Sequence, residues 1–176
     1  MEYVVVVDNA GRPVRSEEKI RAHREGGVLH LAFSVLLFNP AGELLLQRRA
    51  DGKYHFAGLW SNTCCGHPRP GEAVAEAAER RLGEELGLAA TLRPVTHFIY
   101  HAEDACSGLT EQEYTHVLVG RLPAQQQPAP DPQELGAWQW LAPAAVRRGV
   151  AREPAAYTPW FRRLVREHPV ADWIPA

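Results

Sequence analysis

The chain has 176 residues, a formal net charge of −2 and 45% hydrophobic residues. This length fits a single domain with a substantial core, and the apolar fraction excludes a disordered chain. The nearly balanced charge provides no basic surface of the kind that attracts nucleic acids or membranes, so we expect neither partner.

The N-terminus predicts a strand rather than a targeting segment. Residues 4–7 are consecutive valines, which is typical of a buried strand. Glu2, without a basic residue beside it, argues against a signal peptide. No apolar run approaches the roughly 18 residues that cross a bilayer. Three cysteines do not make a disulfide framework, so we predict free thiols in a cytoplasmic protein.

The first half of the chain predicts a short helix followed by strands. Ser16, with two acidic residues after it, is typical of a helix start, and Gly26 ends that helix. The clearest signal is a β-hairpin, in which two apolar runs flank a turn with proline and glycine. The predicted segments are strands over residues 31–38, 43–49 and 59–63, a turn over 39–42 and a loop over 50–58.

The second half predicts one long helix among strands. Residues 72–86 form the best helix, because their apolar side chains recur every three or four positions, and Gly87 is a natural C-terminal cap. The segments that follow are strands over 92–101, 114–121 and 138–141, a loop over 102–110, and helices from 143–148 and over 159–167. This mixed order indicates one α/β or α+β domain, over residues 1–176, with helices packed on a sheet.

The long helix lies in a motif that resembles the Nudix box. Counted from Gly66, Glu72 follows after five residues and Arg80 after seven more, and Arg81-Leu82-Gly83-Glu84-Glu85-Leu86-Gly87-Leu88 completes the pattern. Arg81 is the one departure, since the Nudix family has glutamate there. The alternative is an ordinary solvated amphipathic helix, which we disfavour because so many fixed positions coincide.

Arg81 changes the chemistry that this helix predicts. It lies one turn from Glu85, so both side chains share a face of the helix. In Nudix hydrolases, carboxylates at these positions hold the metals that activate water. Here Glu85 can still hold one Mg²⁺, whereas a guanidinium binds phosphate oxygens instead of a metal. The motif therefore predicts binding of a diphosphate with a reduced capacity to hydrolyse it.

A second group of possible ligands lies outside the helix. His23 and His30 flank two glycines, and His67 opens the Nudix-like motif. Glu111 and Glu113 are two positions apart in a predicted extended segment, so they share a face. Three imidazoles and two carboxylates suit a transition-metal site. Taken alone, each histidine is better explained as structural or exposed. No role is predicted for His97, His101, His116 and His168.

Several short motifs resemble type I isopentenyl-diphosphate isomerases, a branch of the Nudix superfamily. The most specific is Trp60-Ser61-Asn62-Thr63-Cys64-Cys65-Gly66-His67-Pro68, and the similarity extends over residues 3–165. The other matching stretches are residues 29–34, 45–50 and 111–113. The resemblance implies a Nudix-like α/β/α sandwich. It also implies an isomerase of isoprenoid biosynthesis that interconverts isopentenyl and dimethylallyl diphosphate by a 1,3-allylic proton shift.

The resemblance implies a role for each matching residue. Its catalytic residues are Cys65, Glu113, Tyr100 and Trp160. Its diphosphate-binding cations are Lys19, Arg49, Lys53 and Arg81. A Mn²⁺ or Zn²⁺ ion would be held by His23, His30, His67, Glu111 and Glu113. Mg²⁺, arriving with the diphosphate, would be held by Glu85 and the backbone carbonyl of Cys65.

Cys65 and Glu113 are predicted to exchange protons with opposite faces of the allyl unit. Because alkene carbon is a very weak base, we assign proton donation to Glu113 on the metal, although the sequence leaves open which of the two donates. Trp160 would stabilise the carbocation through its π-face. A packing role explains Tyr100 equally well, and we prefer packing for Cys64 and Cys106.

Two other functions remain to be tested against the structure. The first is a Nudix hydrolase of a diphosphate substrate, which the arginine at position 81 disfavours. The second is a non-catalytic Nudix-like binding module, which the complete set of predicted proton-transfer residues and ligands disfavours. We expect a small-molecule isoprenyl diphosphate as the partner, and a monomer, with a dimer as the alternative.

Overall fold

The structure is a computed structural model that describes residues 2–175. Nine strands in this part of the chain form one mixed sheet: β1 (Tyr3–Val7), β2 (Pro13–Glu18), β3 (His30–Phe38), β4 (Leu44–Arg49), β5 (Trp60–Ser61), β6 (Cys64–Gly66), β7 (Arg93–Asp104), β8 (Leu109–Arg121) and β9 (Leu135–Leu141). The α-helices are α1 (Lys19–Ala22), α2 (Val74–Leu86), α3 (Pro143–Arg152) and α4 (Pro159–Glu167). Single 3₁₀ turns cover Pro154–Ala156 and Val170–Trp173.

The central strand of the sheet is β3. Every one of its nine residues is buried, which is typical of a strand covered on both faces. It pairs in parallel with β8 over its whole length, and in antiparallel orientation with β6 through three residues. Cys65 and Glu113 therefore lie on the two strands that pair with β3 through three or more residues.

Helices cover both faces of the sheet. On one face, α2 buries its apolar stripe completely at Ala77, Leu82 and Leu86, against side chains that include Phe33 of β3. The other face packs against α3 and α4 in a second apolar cluster. Full burial of a leucine side chain stabilises the fold by roughly 1.5–3 kcal/mol relative to exposure. The layers form an α/β/α sandwich, which confirms the predicted fold class.

The predicted β-hairpin is present as a turn but not as a paired ladder. Gly42 adopts a positive φ of 75° in the turn, but β3 and β4 pair only at Phe38 and Leu44. The edges of β3 are occupied by β6 and β8, and those of β4 by β5 and β9. The apolar pattern predicted the strands correctly, whereas long-range contacts decide their partners.

The predicted helix start at Ser16 is wrong. Residues 16–18 continue β2, which pairs with β1, and the helix begins only at Lys19. Glu18 caps this helix, because its carboxylate accepts hydrogen bonds from the backbone N–H groups of Ile20 and Arg21. The acidic residues that suggested a first turn are thus strand residues and a cap.

The predicted loop over residues 102–110 is also wrong. Strand β7 continues to Asp104, and β8 begins at Leu109, so a tight turn containing Gly108 joins them. The candidate site is affected, because Glu111 is the third residue of β8 and pairs with Ala102 of β7.

Helix α2 begins two residues later than predicted, and Glu72 lies in the loop before it. Its carboxylate accepts hydrogen bonds from Arg80 Nε at 2.7 Å and from the backbone N–H of Arg69 at 2.8 Å. The bond from Arg80 holds the pKa of Glu72 at about 2. Gly87 ends the helix with a left-handed φ of 64°, as predicted. The pair of Glu72 and Arg80, both in the Nudix-like motif, therefore holds the loop against the helix.

Candidate active site

A cleft of about 350 Å³ collects most of the predicted site residues. Its lining includes Lys19, Arg49, Lys53, Cys65, His67, Arg81, Glu85, Tyr100, Glu111, Glu113 and Trp160. His23 and His30 are fully buried behind the lining and contact His67 through ring–ring contacts. Residues that are more than 100 positions apart in sequence thus meet in one place.

The sheet register places the two predicted proton-transfer groups on either side of β3. Cys65 pairs with Ser34 across one edge of the strand, and Glu113 pairs with His30 across the other. Both side chains line the same cleft. A flat ligand that enters the cleft can meet a thiol from one of these strands and a carboxyl group from the other.

Cys65 is held by a short hydrogen-bond network. Its thiol donates to Asn62 Oδ1 at 3.2 Å, and Ser34 Oγ lies 3.7 Å from its sulfur atom. The side-chain amide of Asn62 donates to the carbonyls of Val35 and Cys64, which fixes the direction of its oxygen. Burial raises the pKa of Cys65 to about 11, although the Ser34 and Asn62 hydrogen bonds lower it in part. The group is therefore a thiol at neutral pH in the free protein.

Trp160 is fixed by the same asparagine. Its indole N–H donates to Ser61 Oγ at 3.0 Å and to Asn62 Oδ1 at 3.2 Å. The ring of Phe56 meets it edge to face at 5.3 Å, and the guanidinium carbon of Arg49 lies 5.7 Å from its centroid. The indole can offer its face to the cleft because its polar edge is already bonded.

Glu113 is held by two hydroxyl groups. Tyr100 and Thr115 donate to its Oε2 at 2.6 and 3.0 Å, while its Oε1 lies 2.9 Å from His67 Nε2. Burial raises the pKa of Glu113 well above its usual range, and the charge of Glu111 adds to this. The contact with Glu113 is consistent with an active-site role for Tyr100, which stays a prediction beside the packing role.

In an assay of the activity that the sequence motifs imply, we expect Tyr100→Phe to reduce turnover about 10- to 100-fold without unfolding the protein. The change removes one hydrogen bond to a carboxyl group, and such bonds contribute about 1.5–3 kcal/mol. The measurement is kcat on the diphosphate substrate that those motifs imply. Tyr157→Phe is the control, because it alters a buried tyrosine outside the cleft. Equal kcat values for the two variants would contradict a role for Tyr100.

Four residues form a cluster with the geometry of a metal site. One ligand atom each from His23, His30, His67 and Glu111 lies within 4.8 Å of all the others. Nδ1 of His23 lies 2.6 Å from the carbonyl oxygen of Lys19, and Nδ1 of His30 lies 2.7 Å from that of Val28. Carbonyl oxygens only accept, so both Nδ1 atoms carry protons, and each Nε2 can offer its lone pair to a metal once it carries no proton itself.

The separations between these atoms fit a divalent transition metal. His30 Nε2 lies 3.1 Å from His67 Nε2, and His23 Nε2 lies 3.1 Å from Glu111 Oε2. Two nitrogen ligands at right angles on one ion are about 3 Å apart. Glu113 Oε1, 2.9 Å from His67 Nε2 and 4.0 Å from His30 Nε2, can join this group. Nitrogen and carboxylate ligands of this kind suit Zn²⁺ or Mn²⁺.

Most of the predicted diphosphate-binding cations form ion pairs with carboxylates of the protein. Lys19 pairs with Glu2 at 2.8 Å, Lys53 pairs with Glu134, and Arg81 also contacts Glu134, at 3.3 Å. Arg49 differs, because its guanidinium donates to the backbone carbonyls of His55 and Phe56 at 3.0 and 3.1 Å. A diphosphate that enters the cleft must therefore compete with Glu2 and Glu134.

Glu85 is the one buried carboxylate on the cleft face of α2. Its Oε1 pairs with Arg81 at 2.5 Å, and Gln47 donates to its Oε2 at 3.4 Å. Burial raises the pKa of Glu85, although the charge of Arg81 opposes this. Mg²⁺ is commonly held by one or two carboxylates together with substrate phosphates. One carboxylate beside a guanidinium therefore fits an ion that arrives with a diphosphate.

Three residues of the site carried no assigned role in the sequence analysis. Asn62 stands inside the most specific motif, which was its only signal. His55 and Glu134 lie in loops without a periodic pattern, and their partners are 56 and 81 positions away in sequence. Only the folded chain shows that they belong to the site.

A domain with this sandwich and a helix that carries charged residues towards a cleft is of the Nudix class. The family model described as NUDIX domain matches residues 28–163. DR0079 from Deinococcus radiodurans superposes with a TM-score of 0.74, covering 94% of this chain and 98% of that one, at 24% identity. This level of identity supports the fold alone.

Curated relatives define the branch of this class. The chain is 66% identical to the isopentenyl-diphosphate Delta-isomerase of Halorhodospira halophila, over 98% of both chains. It is 52% identical to the isopentenyl-diphosphate Delta-isomerase of Nocardia farcinica, over 92% of this chain and 91% of the relative. The chain belongs to the type I isopentenyl-diphosphate Delta-isomerase family of the Nudix superfamily. The resemblance recognised in the sequence motifs is thereby confirmed.

Proposed function

We propose that this enzyme interconverts isopentenyl diphosphate and dimethylallyl diphosphate by a metal-dependent 1,3-allylic proton shift. The observation that carries the proposal is the placement of Cys65 and Glu113 in one cleft, on the two strands next to β3. The names of the relatives support the same activity. The substrate is a small-molecule isoprenyl diphosphate.

The diphosphate binds first among the cations at the mouth of the cleft. Lys19, Arg49, Lys53 and Arg81 line the cleft, and they can offset the roughly three negative charges of a diphosphate ester once it displaces Glu2 and Glu134. Mg²⁺ held by Glu85 and the backbone carbonyl of Cys65 would add positive charge against the same group. This end of the substrate is anchored, so the five-carbon unit extends towards the inner part of the cleft.

In the forward direction, Glu113 gives a proton to the terminal alkene carbon, and Cys65 takes one from the second carbon. A tertiary carbocation lies between these steps, and the indole face of Trp160 can stabilise it by up to about 2 kcal/mol. A divalent cation held by His23, His30, His67, Glu111 and Glu113 would supply positive charge that makes the proton of Glu113 more acidic. Burial raises the pKa of Cys65, so its thiolate is a strong base. The thiol of the free protein must therefore lose its proton before this step, and the thiol formed in the step must release its proton, and Glu113 regain one, before the next turnover.

The proposal is tested by NMR of isopentenyl diphosphate in D₂O. We expect dimethylallyl diphosphate to appear, with deuterium entering both compounds, when Mg²⁺ and Mn²⁺ are supplied. After chelation of the protein, turnover should fall at least about 100-fold, and added metals should restore it. Neither exchange nor interconversion with metals present would refute the isomerase.

The same incubation separates the two alternatives. A hydrolase would release phosphate from isoprenyl or nucleoside diphosphates. The arginine at position 81 argues against this activity, because it leaves Glu85 as the only carboxylate of the two positions that can hold a metal. A binding module would retain the diphosphate without exchange of deuterium. Metal analysis of protein purified without chelators distinguishes Zn²⁺ from Mn²⁺ at the histidine site.

Other properties stay predictions. A cytoplasmic location, a monomeric or dimeric state and a single domain over residues 1–176 are proposed on the sequence arguments given above. None of the helices in residues 2–175 has the length and apolar character that a membrane span requires.

A further inference from the structure

His55 lies against the metal-binding group but is not part of it. The residue sits in the loop between β4 and β5 and is only 7% exposed. Its Nε2 donates a hydrogen bond to Glu111 Oε1. The group of four ligand atoms that lie close together contains Glu111 but does not contain His55.

The two oxygens of Glu111 have different partners. Oε2 lies 3.1 Å from His23 Nε2 and belongs to the metal-binding group, whereas Oε1 faces His55. A carboxylate can rotate about its terminal torsion and exchange its oxygens unless something holds one of them. The bond from His55 selects which oxygen faces the metal-binding group.

No other hydrogen bond explains the orientation of the His55 ring. Its second nitrogen, Nδ1, is buried and has no hydrogen-bond partner among the described residues. The polar interaction of this side chain is therefore concentrated on Glu111. A histidine that served for packing alone would bury two polar atoms without using either of them.

The loop around His55 is firmly held in an uncommon conformation. Phe56 has a φ of 47°, in the left-handed region that bulky residues rarely adopt. The N–H of Phe56 donates to Asp104 Oδ2 at 3.1 Å, and the guanidinium of Arg49 donates to the carbonyl oxygens of His55 and Phe56. Strained residues that their surroundings hold in place are concentrated at functional sites.

The same conformation allows two neighbouring side chains to contact the site. In an extended chain, consecutive side chains point in opposite directions. Here His55 contacts Glu111, and Phe56 contacts the ring of Trp160. One short loop thus joins a metal ligand to the aromatic cover of the cleft.

We propose that His55 is a positioning residue, which holds Glu111 so that one oxygen alone faces the metal together with His23, His30 and His67. The inference depends on the proposed function in one respect, namely that a metal ion binds to the group of histidines and Glu111. It assigns to the loop between β4 and β5 the task of orienting a metal ligand from a strand more than 50 positions away in sequence.

The test compares two amides at position 55. In His55→Gln, the side-chain N–H₂ can reach the position of Nε2 and donate to Glu111, whereas in His55→Asn the amide is too short. Metal-free protein is titrated with Co²⁺, whose visible absorption reports both affinity and coordination. His101→Asn is the control, since His101 is an exposed histidine on β7.

We expect His55→Asn to weaken Co²⁺ binding about 10- to 100-fold and to alter the absorption spectrum. His55→Gln should recover most of the affinity, and His101→Asn should match the parent protein. In a Glu111→Ala background, His55→Asn should have no further effect, because alanine leaves no oxygen for His55 to hold.

Several results would overturn the inference. Equal affinities for the parent protein and the asparagine variant would remove any role of His55. Equal losses in both amide variants would show that the ring packs and does not act as a donor. A further loss of affinity in the Glu111→Ala background would show that His55 acts through a group other than Glu111. A parent protein that binds no Co²⁺ would overturn the inference together with the metal site, while the substrate-exchange experiment on the same preparation decides separately on isomerase activity.

Discussion

Cys65→Ala is expected to abolish isomerisation while the protein remains folded. The reaction needs one group to give a proton and another to remove one, and general acid–base groups contribute up to about 10⁴-fold each. The thiol is the group on its side of β3 that lines the cleft and bonds to the fixed oxygen of Asn62. We expect turnover to fall about 10⁴-fold, measured as deuterium entry into isopentenyl diphosphate.

The neighbouring thiol provides a matched control. Cys64 lies on the same strand, but alternation directs its side chain to the opposite face, where it is fully buried in the cluster beneath α2. Cys64→Ala should retain turnover and lower the free energy of unfolding by about 1–2 kcal/mol. If Cys65→Ala retained activity, or if both alanine variants lost it equally, the proposed role of Cys65 would be wrong.

Glu113→Gln is expected to have an effect of similar size for a different reason. A glutamine can still accept the hydrogen bonds from Tyr100 and Thr115, so the local fold should persist. It cannot release a carboxyl proton, and it is a poorer metal ligand than a carboxylate. We expect turnover to fall about 10⁴-fold and deuterium exchange to disappear.

Comparison with Glu111→Gln separates two roles that a carboxyl group can have in this cluster, which are metal binding and proton donation. Glu111 belongs to the closely spaced ligand group, and hydrogen bonds from His23 and His55 outweigh the effect of burial and hold its pKa well below the usual range. Excess Mn²⁺ should therefore restore part of the activity of Glu111→Gln. Glu113→Gln should stay inactive at any metal concentration. Recovery of its activity with added metal would show that Glu113 acts only as a metal ligand.

We propose that Arg81 adapts a Nudix-type fold to an isomerase. Its guanidinium pairs with Glu84 at 2.8 Å and with Glu85 at 2.5 Å, on the helix face where hydrolases place metal-binding carboxylates. The pair keeps positive charge for a diphosphate and removes one ligand from the hydrolytic metals. The proposed chemistry is therefore carried by β6 and β8, while the helix anchors the substrate.

Local pattern and specific motifs were sufficient to predict much of the protein. Helix α2 follows from its apolar spacing and its glycine cap, and α4 has the predicted bounds, because these signals act within a few residues. The motif from Trp60 to Pro68 indicated the family, and the structure brings the residues that it implied into one cleft. The predicted element boundaries were wrong at β2 and β7. Residues there that are typical of a helix start or a loop belong to strands, because they pair with a neighbouring strand.

What the tertiary structure alone decided is which distant groups meet. The amino-acid sequence determined the strands, the long helix, the family and the ligand types, since all of these are written in local spacing and side-chain chemistry. It contained no signal that β3 would pair with β6 and β8, or that His55 would reach Glu111. Such contacts depend on how the whole sheet is assembled, and a loop residue gains its partner only when the core has brought remote strands together.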